Sequence, residues 1–194
     1  LQRLFDQIVP LGSPKQHARG ARRELPSKPG DRTGPVPLRH TGVRGNAAGT
    51  GSMAAQTLAA TDVTMATVLR RAGYRTALIG KWGLGEMESE GAPNRHGFDY
   101  VFGFVNQTHA HNHYPDFVWR NSGKVALPNV VTPVGAVPGA GYATTRAQYA
   151  NDLFFDEARD FIERSKDRPF FLFLSLTVPH ANNERARALG DGQE

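Results

Sequence analysis

Apolar and polar positions between residues 61 and 79 follow first a helical and then a strand pattern. Thr61 and Asp62 are residue types that begin helices. Beyond them, apolar residues recur at i, i+3, i+4 and i+7, which marks one helical face: Met65, Val68, Leu69 and Ala72. Gly73 suits the left-handed backbone position that ends a helix, and residues 76–79 form a short apolar run. The pattern predicts a helix that leads into a buried strand, the repeating unit of a parallel α/β sheet.

A second helix and strand are predicted between residues 144 and 176. Thr144 or Thr145 can cap the helix, and its expected core stripe is Phe154, Ala158, Phe161 and Ile162. The other side carries carboxylates at helical spacing, which is typical of a solvated face: Asp152, Asp156, Glu157 and Asp160. Residues 170–176 are an unbroken apolar run, as a central parallel strand requires. The fold class is therefore α/β.

The rest of the chain gives weaker patterns. Residues 97–104 are rich in aromatic side chains and are predicted as a strand or a buried loop. Residues 121–142 are rich in Gly, Pro and Val and are predicted as a long loop with at most one hairpin. We expect three parts: a poorly ordered basic segment rich in Gly and Pro (1–52), a partial α/β domain (53–182) and a polar tail (183–194).

Composition changes this picture mainly in the first part of the chain. The protein has 23 Lys and Arg residues against 18 Asp and Glu, a net charge of +5, and the excess is concentrated in residues 12–40. A basic arm for nucleic acid or anionic lipid is one interpretation. No aromatic residue alternates with these arginines to stack on bases, so a solvated segment is favoured and no nucleic-acid partner is expected.

Membrane and redox signals are also weak. No run approaches the roughly 18 apolar residues that cross a bilayer, so no membrane span is expected, and no signal peptide is recognisable. The sequence has no cysteine, which excludes disulfides and thiolate metal sites and leaves the compartment unknown.

Two basic side chains follow predicted strands. Lys81 stands between Gly80 and Trp82 at the end of the first strand, and His180 follows the second. Carboxyl ends of parallel strands meet at the edge where open α/β sheets bind ligands. We therefore expect both side chains to face one crevice and to contact an anion, although a solvated lysine and a loop histidine are the simpler interpretations.

Three histidines alternate in residues 106–115. An extended segment would place His109, His111 and His113 on one side, as in a metal site. Zinc sites of this kind usually need a further ligand from elsewhere in the chain. A loop that lines the mouth of a pocket and an exposed loop are the alternatives.

Several of these segments together resemble one family. The lysine loop reads Gly80-Lys81-Trp82-Gly83-Leu84-Gly85, and the likeness continues through residues 97–103, 112–121 and 169–180 in the same order. The segments are similar to those of the type I sulfatases, the formylglycine-dependent branch of the alkaline phosphatase superfamily. The resemblance covers about two thirds of the chain, residues 63–181, and its order is more specific than any single motif.

The resemblance implies a fold, an activity and a site. The expected fold is an incomplete alkaline-phosphatase-like mixed, mostly parallel sheet flanked by helices, and the expected activity is sulfate ester hydrolysis. Lys81 and His180 take the positions of catalytic residues, with His180 binding the sulfate or protonating the leaving oxygen. His109, His111 and Asn106 are expected to bind substrate, a sulfated small molecule or sulfated carbohydrate. The complete family enzyme would use Ca²⁺ and be periplasmic or secreted.

Other parts of the family pattern are missing. The family's nucleophile is a Cys or Ser in a Cys/Ser-x-Pro-x-Arg motif, but the nearest match, starting at Ser27, places Arg32 one residue late. No residues match the family's calcium ligands, and Gly83 stands where many members have His. One interpretation is that residues 12–40 are translated out of the native frame. We expect a fragment with negligible turnover; the alternatives are a non-catalytic anion- or sulfated-glycan-binding relative and a related phosphatase or phosphodiesterase.

Overall fold

The structure of the protein is a computed structural model that describes residues 57–192. The predicted boundary at residue 52 and the basic segment before it lie outside these residues. In chain order the elements are α1 (Met65–Arg71), β1 (Arg75–Lys81), β2 (Tyr100–Phe104), β3 (Phe117–Arg120), β4 (Gly123–Ala126), β5 (Val130–Pro133), β6 (Gly141–Thr145), α2 (Ala150–Ser165), β7 (Phe170–Ser175) and α3 (Asn183–Leu189).

Five of the strands form one mixed sheet in the order β4-β3-β2-β1-β7. The strand β1 pairs in parallel with both β2 and β7, whereas β3 is antiparallel to β2 and to β4. The strands β5 and β6 form a separate antiparallel pair. The predicted α/β class and mixed sheet are confirmed. Within residues 57–192, β7 pairs with β1 alone, so it stands at an edge there although its apolar sequence is typical of a central strand.

Helices pack on both faces of this sheet. Side chains alternate along a strand, and accordingly Ala77 and Ile79 of β1 face α2, while Leu78 faces α1. The predicted core stripe of α2 is largely confirmed, because Phe154, Ala158 and Phe161 are all buried. Burial of three aromatic or aliphatic side chains from one helix is enough to hold α2 against the sheet.

The helix α1 turns a different face to the sheet than its apolar stripe predicts. Ala66 is buried, whereas Met65 and Val68 are 66% and 55% exposed. The cause is a close approach of the backbone at Gly97, where an added Cβ would lie 2.3 Å from the Thr67 amide nitrogen. The small side of the helix therefore packs inward.

The ends of the two predicted helices also differ from expectation. Thr64, rather than Thr61 or Asp62, caps α1: its side chain accepts a hydrogen bond from the Thr67 amide at 3.1 Å and donates one to the His96 carbonyl at 2.6 Å. The cap of α2 is Tyr149, because the threonines expected there belong to β6.

Residues after 182 were expected to form a polar tail, but they contain α3. Asn182 caps this helix by accepting a hydrogen bond from the Arg185 amide at 2.9 Å, and its own side chain donates to the Gly141 carbonyl at 2.9 Å. The helix has few apolar residues, so hydrophobic periodicity gave no signal for it. None of the helices between residues 57 and 192 is long and apolar enough to cross a membrane.

Candidate functional site

Lys81 and His180 emerge at the same edge of the sheet. Lys81 is the last residue of β1, and His180 lies beyond the end of β7, the parallel neighbour of β1. The pairing of Gly80 with Ser175 aligns the two strand ends. The expected arrangement, in which parallel strands carry both side chains to one edge, follows from this register.

His111 joins these two residues into one site. Its ring stacks on the His180 ring, with centroids 4.6 Å apart and planes 5° from parallel. Burial lowers the pKa of His111 below its usual range, the charges of His180 and Lys81 lower it further, and a hydrogen bond to Glu184 opposes them. We call Lys81, His111 and His180 the basic cluster.

Glu184 is the residue of this site that sequence reasoning missed. Its side chain is 1% exposed, and one oxygen accepts a hydrogen bond from His111 Nδ1 at 2.8 Å. The other oxygen lies 3.2 Å from an Arg187 guanidinium nitrogen. A cap residue at Asn182 followed by an acid in the first turn is a helix-start pattern, and this was the available signal.

The loop of His180 holds one edge of its ring. Its Nδ1 donates a hydrogen bond to the Ala181 carbonyl at 2.6 Å, so Nδ1 carries a proton and Nε2 is the nitrogen left for a ligand. The His180 carbonyl in turn accepts a hydrogen bond from His113 Nε2 at 2.7 Å. His113 is therefore a buried support of the loop, not a third member of a metal-binding row.

The same loop is tied to α2. The Asn151 side chain donates to Thr177 Oγ1 at 3.1 Å and accepts from the Thr177 amide at 3.3 Å. Both residues are buried. The turn that carries His180 is thus held from the helix as well as from β7.

His109 lies in the apolar core rather than at a pocket mouth. It is 1% exposed, and its ring contacts the rings of Phe104 and Phe117, with centroids 4.9 and 4.4 Å away. Burial lowers the pKa of His109 to about 3, and the charge of Lys124 lowers it as well. The short 3-10 turn His109–His111 replaces the extended segment that would have aligned the histidines.

Asn106 is engaged by the protein itself. Its side-chain oxygen accepts hydrogen bonds from the backbone amides of Thr108 and His109 at 2.7 and 3.1 Å. Its side-chain nitrogen donates to Glu86 at 2.7 Å. These contacts build the turn that begins the histidine segment.

Gln107 occupies the space above Gly83. Gly83 has a φ of +75°, and an added Cβ there would lie 2.3 Å from the side-chain nitrogen of Gln107. The Gln107 side-chain oxygen is buried without a hydrogen-bond partner in the described part of the chain. The Gln107 amide therefore fills the volume that a side chain at position 83 would need.

The described residues do not fit a calcium ion. Between residues 57 and 192 no group of three or more His, Cys, Asp or Glu side chains is placed so that it could hold a metal ion. Both oxygens of Glu184, the buried carboxylate beside the basic cluster, already have cationic or N–H partners. Calcium takes six to eight oxygen ligands, and the described side chains around the basic cluster do not supply them.

A cavity of about 760 Å³ lies elsewhere in the described residues, at the amino ends of β1 and β2. Two of the four arginines that line it form ion pairs: Arg70 pairs with Asp99 at 2.7 Å, and Arg164 with Glu157 at 3.2 Å. Glu157, expected on a solvated face, is thereby an ion-pair residue that also binds Arg120. Because this cavity lies at the opposite end of β1 from Lys81, we place the candidate site at the basic cluster.

Comparisons with known proteins converge on one family. A sequence model described as Sulfatase matches residues 36–191. The chain is similar to arylsulfatase G of Mus musculus, with 32% identity over 135 residues, covering 61% of this chain and 26% of that protein. N-acetylgalactosamine-6-sulfatase of Canis lupus familiaris shares 31% identity over 122 residues, covering 59% and 22%.

A solved structure from a study of glycosaminoglycan metabolism by Bacteroides thetaiotaomicron shares 22% identity and a TM-score of 0.48, over 66% of this chain and 36% of that one. The chain thus spans about a quarter of the length of the curated relatives named above.

Proposed function

The chain belongs to the sulfatase family, and from this premise we propose that its basic cluster binds the sulfate group of a sulfate ester that the complete protein hydrolyses. The observation that carries the proposal is the convergence of Lys81, His111 and His180 at the carboxyl edge of β1 and β7. Cationic and N–H groups held at one point are the means by which proteins bind oxyanions.

Each member of the cluster has a separate role in this proposal. The Lys81 ammonium offsets the negative charge of the sulfate oxygens. His180 presents Nε2, because Nδ1 is committed to the Ala181 carbonyl, and when protonated it can donate a proton to the leaving oxygen. His111 packs its ring against the His180 face and supports it, while its own Nδ1–H is donated to Glu184.

His109 and Asn106 are assigned structural roles instead of substrate contacts. His109 is sealed between aromatic rings, and Asn106 uses its side chain to hold the turn before it. Their part in the proposed site is to place His111, which follows them in the same segment.

The substrate class follows the relatives. Proteins named arylsulfatase G and N-acetylgalactosamine-6-sulfatase are both about a third identical over the matched residues, so we propose an aryl or sugar sulfate. The chain as it stands is expected to show negligible turnover, because it contains no cysteine and no Ser-x-Pro-x-Arg sequence to supply the family's nucleophile. A periplasmic or secreted location belongs to the same proposal.

Sulfate binding by the chain tests the proposal. We expect inorganic sulfate to shift the NMR signals of the His111 and His180 imidazoles, and Lys81→Ala to weaken binding by about tenfold or more, since a hydrogen bond to a charged group contributes about 1.5–3 kcal/mol. Titration of the labelled chain with sulfate gives the dissociation constants.

The matched control is Lys166→Ala. Lys166 is an exposed lysine paired with Glu163 at 2.7 Å on the surface of α2, so its removal lowers the net charge equally and should leave sulfate affinity unchanged. Equal weakening by both variants would show that sulfate binding follows the net charge. No effect of Lys81→Ala would show that sulfate binds elsewhere. Either result would contradict the proposal that the basic cluster is the site.

A non-catalytic sulfated-glycan-binding protein is the second candidate. It is favoured by the missing nucleophile motif and by Gly83, which stands where many members of the family, though not all, have a His. Sequencing the encoding DNA in all three frames separates the two: a Cys/Ser-x-Pro-x-Arg motif in a shifted frame supports the hydrolase, and a confirmed frame without it supports the binding protein. Hydrolysis of p-nitrophenyl sulfate by this chain would contradict the expected lack of turnover.

A further inference from the structure

A line of three side chains runs from the short helix α3 into the basic cluster. Glu184 contacts His111, and His111 stacks on His180. We infer that Glu184 is a positioning residue: it holds the His111 imidazole in the form protonated at Nδ1, and the stacked His111 ring in turn fixes the plane of the His180 ring. The functional meaning of this inference rests on the proposed sulfate site.

The contact between Glu184 and His111 dictates which nitrogen carries the proton. A carboxylate can only accept a hydrogen bond, so the imidazole nitrogen at 2.8 Å from it must be the N–H. In a neutral imidazole this leaves Nε2 as a lone-pair acceptor. Removing the carboxylate would leave the choice between the two nitrogens open.

Burial makes this contact more than a surface ion pair. The Glu184 side chain is 1% exposed and that of His111 is 15% exposed. A carboxylate is costly to bury unless it is paired and hydrogen-bonded, so the fold is organised to keep this pair together. Asn182 supports it by capping α3 two residues before Glu184.

The stacked contact lets the His111 ring restrict the orientation of the His180 ring. His180 is held at one edge by its Nδ1 hydrogen bond to the Ala181 carbonyl, a contact that still permits the ring to tilt. Nearly parallel planes at 4.6 Å place the His111 ring over its face and limit that tilt. The direction of His180 Nε2 is therefore set by two contacts, one of which depends on Glu184.

The test is an imidazole ¹⁵N–¹H correlation spectrum of the whole chain near neutral pH, for the wild type and Glu184→Gln. The wild type should show neutral His111 protonated at Nδ1. A glutamine amide has similar size but can donate or accept, so the variant should show a mixture of both His111 tautomers and changed His180 ring-proton shifts. In the same samples, the variant should bind sulfate about tenfold more weakly.

Arg187→Ala is the matched control, because it removes the other, 70% exposed partner of Glu184 and leaves His111 untouched. It should match the wild type in both histidine signals. Protonation of wild-type His111 at Nε2 would overturn the inference without any variant. It is also overturned if Glu184→Gln changes the signals of neither histidine, or if Arg187→Ala changes them as much as Glu184→Gln does.

The sulfate titration separates this inference from the proposed function. If the wild type binds no sulfate, the proposed function fails, while the tautomer of His111 and the response of His180 still decide the role of Glu184. If sulfate binds and the two histidines do not respond to Glu184→Gln, the proposed function stands and the positioning role fails.

Discussion

His109 and His111 are two positions apart and have opposite surroundings. His109 is enclosed by Phe104 and Phe117, while His111 reaches Glu184 and His180. Spacing in the sequence gave both the same expected role. The 3-10 turn between them sends one ring into the core and the other to the sheet edge, a difference that only the three-dimensional placement of the turn reveals.

The buried state of His109 predicts acid sensitivity. Burial lowers the pKa of His109 from 6.5 to about 3. Above about pH 6.5 the ring is neutral in both folded and unfolded chains. Between that value and about pH 3, His109 is protonated in the unfolded chain and neutral in the folded chain. Each unit by which the pH is lowered in this range should therefore reduce the free energy of unfolding by about 1.4 kcal/mol.

His109→Leu measures this contribution. When the pH of urea unfolding is lowered from 7 to 5, the free energy of unfolding should fall in both proteins. We expect the fall to be smaller in the variant than in the wild type by about 2 kcal/mol. The comparison uses the change with pH within each protein, so an altered stability of the variant at neutral pH does not affect it. Identical pH dependence of the two proteins would show that His109 is protonated in the folded chain.

At the scale of elements, Gly80 sets the distance between β1 and its neighbours. An added Cβ at Gly80 would lie 2.0 Å from the Ser175 carbonyl oxygen of β7, and one at Gly103 of β2 would lie 2.1 Å from the Gly80 oxygen. The two glycines are paired in register. The backbones of the three parallel strands thus leave no room for a side chain at Gly80 or Gly103, one register position before Lys81.

Gly80→Ala should therefore force β7 away from β1. We expect a loss of about 3 kcal/mol or more of unfolding free energy, because the methyl group meets backbone and the φ of +107° is unfavourable for alanine. Sulfate binding should also fall, because Lys81 and His180 are carried by the two strands that separate. Urea unfolding and sulfate titration measure the two effects.

Gly73→Ala is the control for the backbone strain alone. Gly73 also has a positive φ, +89°, but no atom lies within 4 Å of an added Cβ. Its replacement by alanine should lower the free energy of unfolding by about 1 kcal/mol and leave the sulfate affinity unchanged. If both alanine variants cost the same, the close approach of the strands is not the reason for glycine at position 80.

The elements show how much the sequence could predict. Periodicity and apolar runs predicted α1, β1, α2 and β7, because each buries a regular pattern against the sheet. The helix α3 is different: besides the local Asn182 cap it depends on the buried ion pair between Glu184 and His111, a contact between residues far apart in the chain. The basic cluster was found through Lys81 and His180, whereas the partner of His111 was not.

At the scale of the whole molecule, an apolar surface is exposed on the outer side of α1. Val63, Met65 and Val68 are 62%, 66% and 55% exposed among the described residues. Exposed apolar groups contribute little to folding but promote association. Met65→Lys combined with Val68→Lys should change the unfolding free energy by no more than about 0.5 kcal/mol and reduce light scattering at high protein concentration.

Leu78→Ala provides the contrast for that double variant. Leu78 is fully buried on the same side of the sheet, and its truncation should cost about 2–5 kcal/mol. A loss of that size from the lysine substitutions would contradict the exposure of α1 and indicate that another segment or molecule covers it in solution.

The position of Glu184 also limits how far the chain can be truncated without altering the basic cluster. The residues that resemble the family end at Ala181, and Lys81, His111 and His180 all precede that residue. A protein cut there would keep these three side chains and lose the carboxylate that pairs with His111. It would also lose the hydrogen bond that the Asn182 amide donates to the Gly192 carbonyl at 3.1 Å. Truncated variants that are meant to keep the site should therefore retain residues through 192.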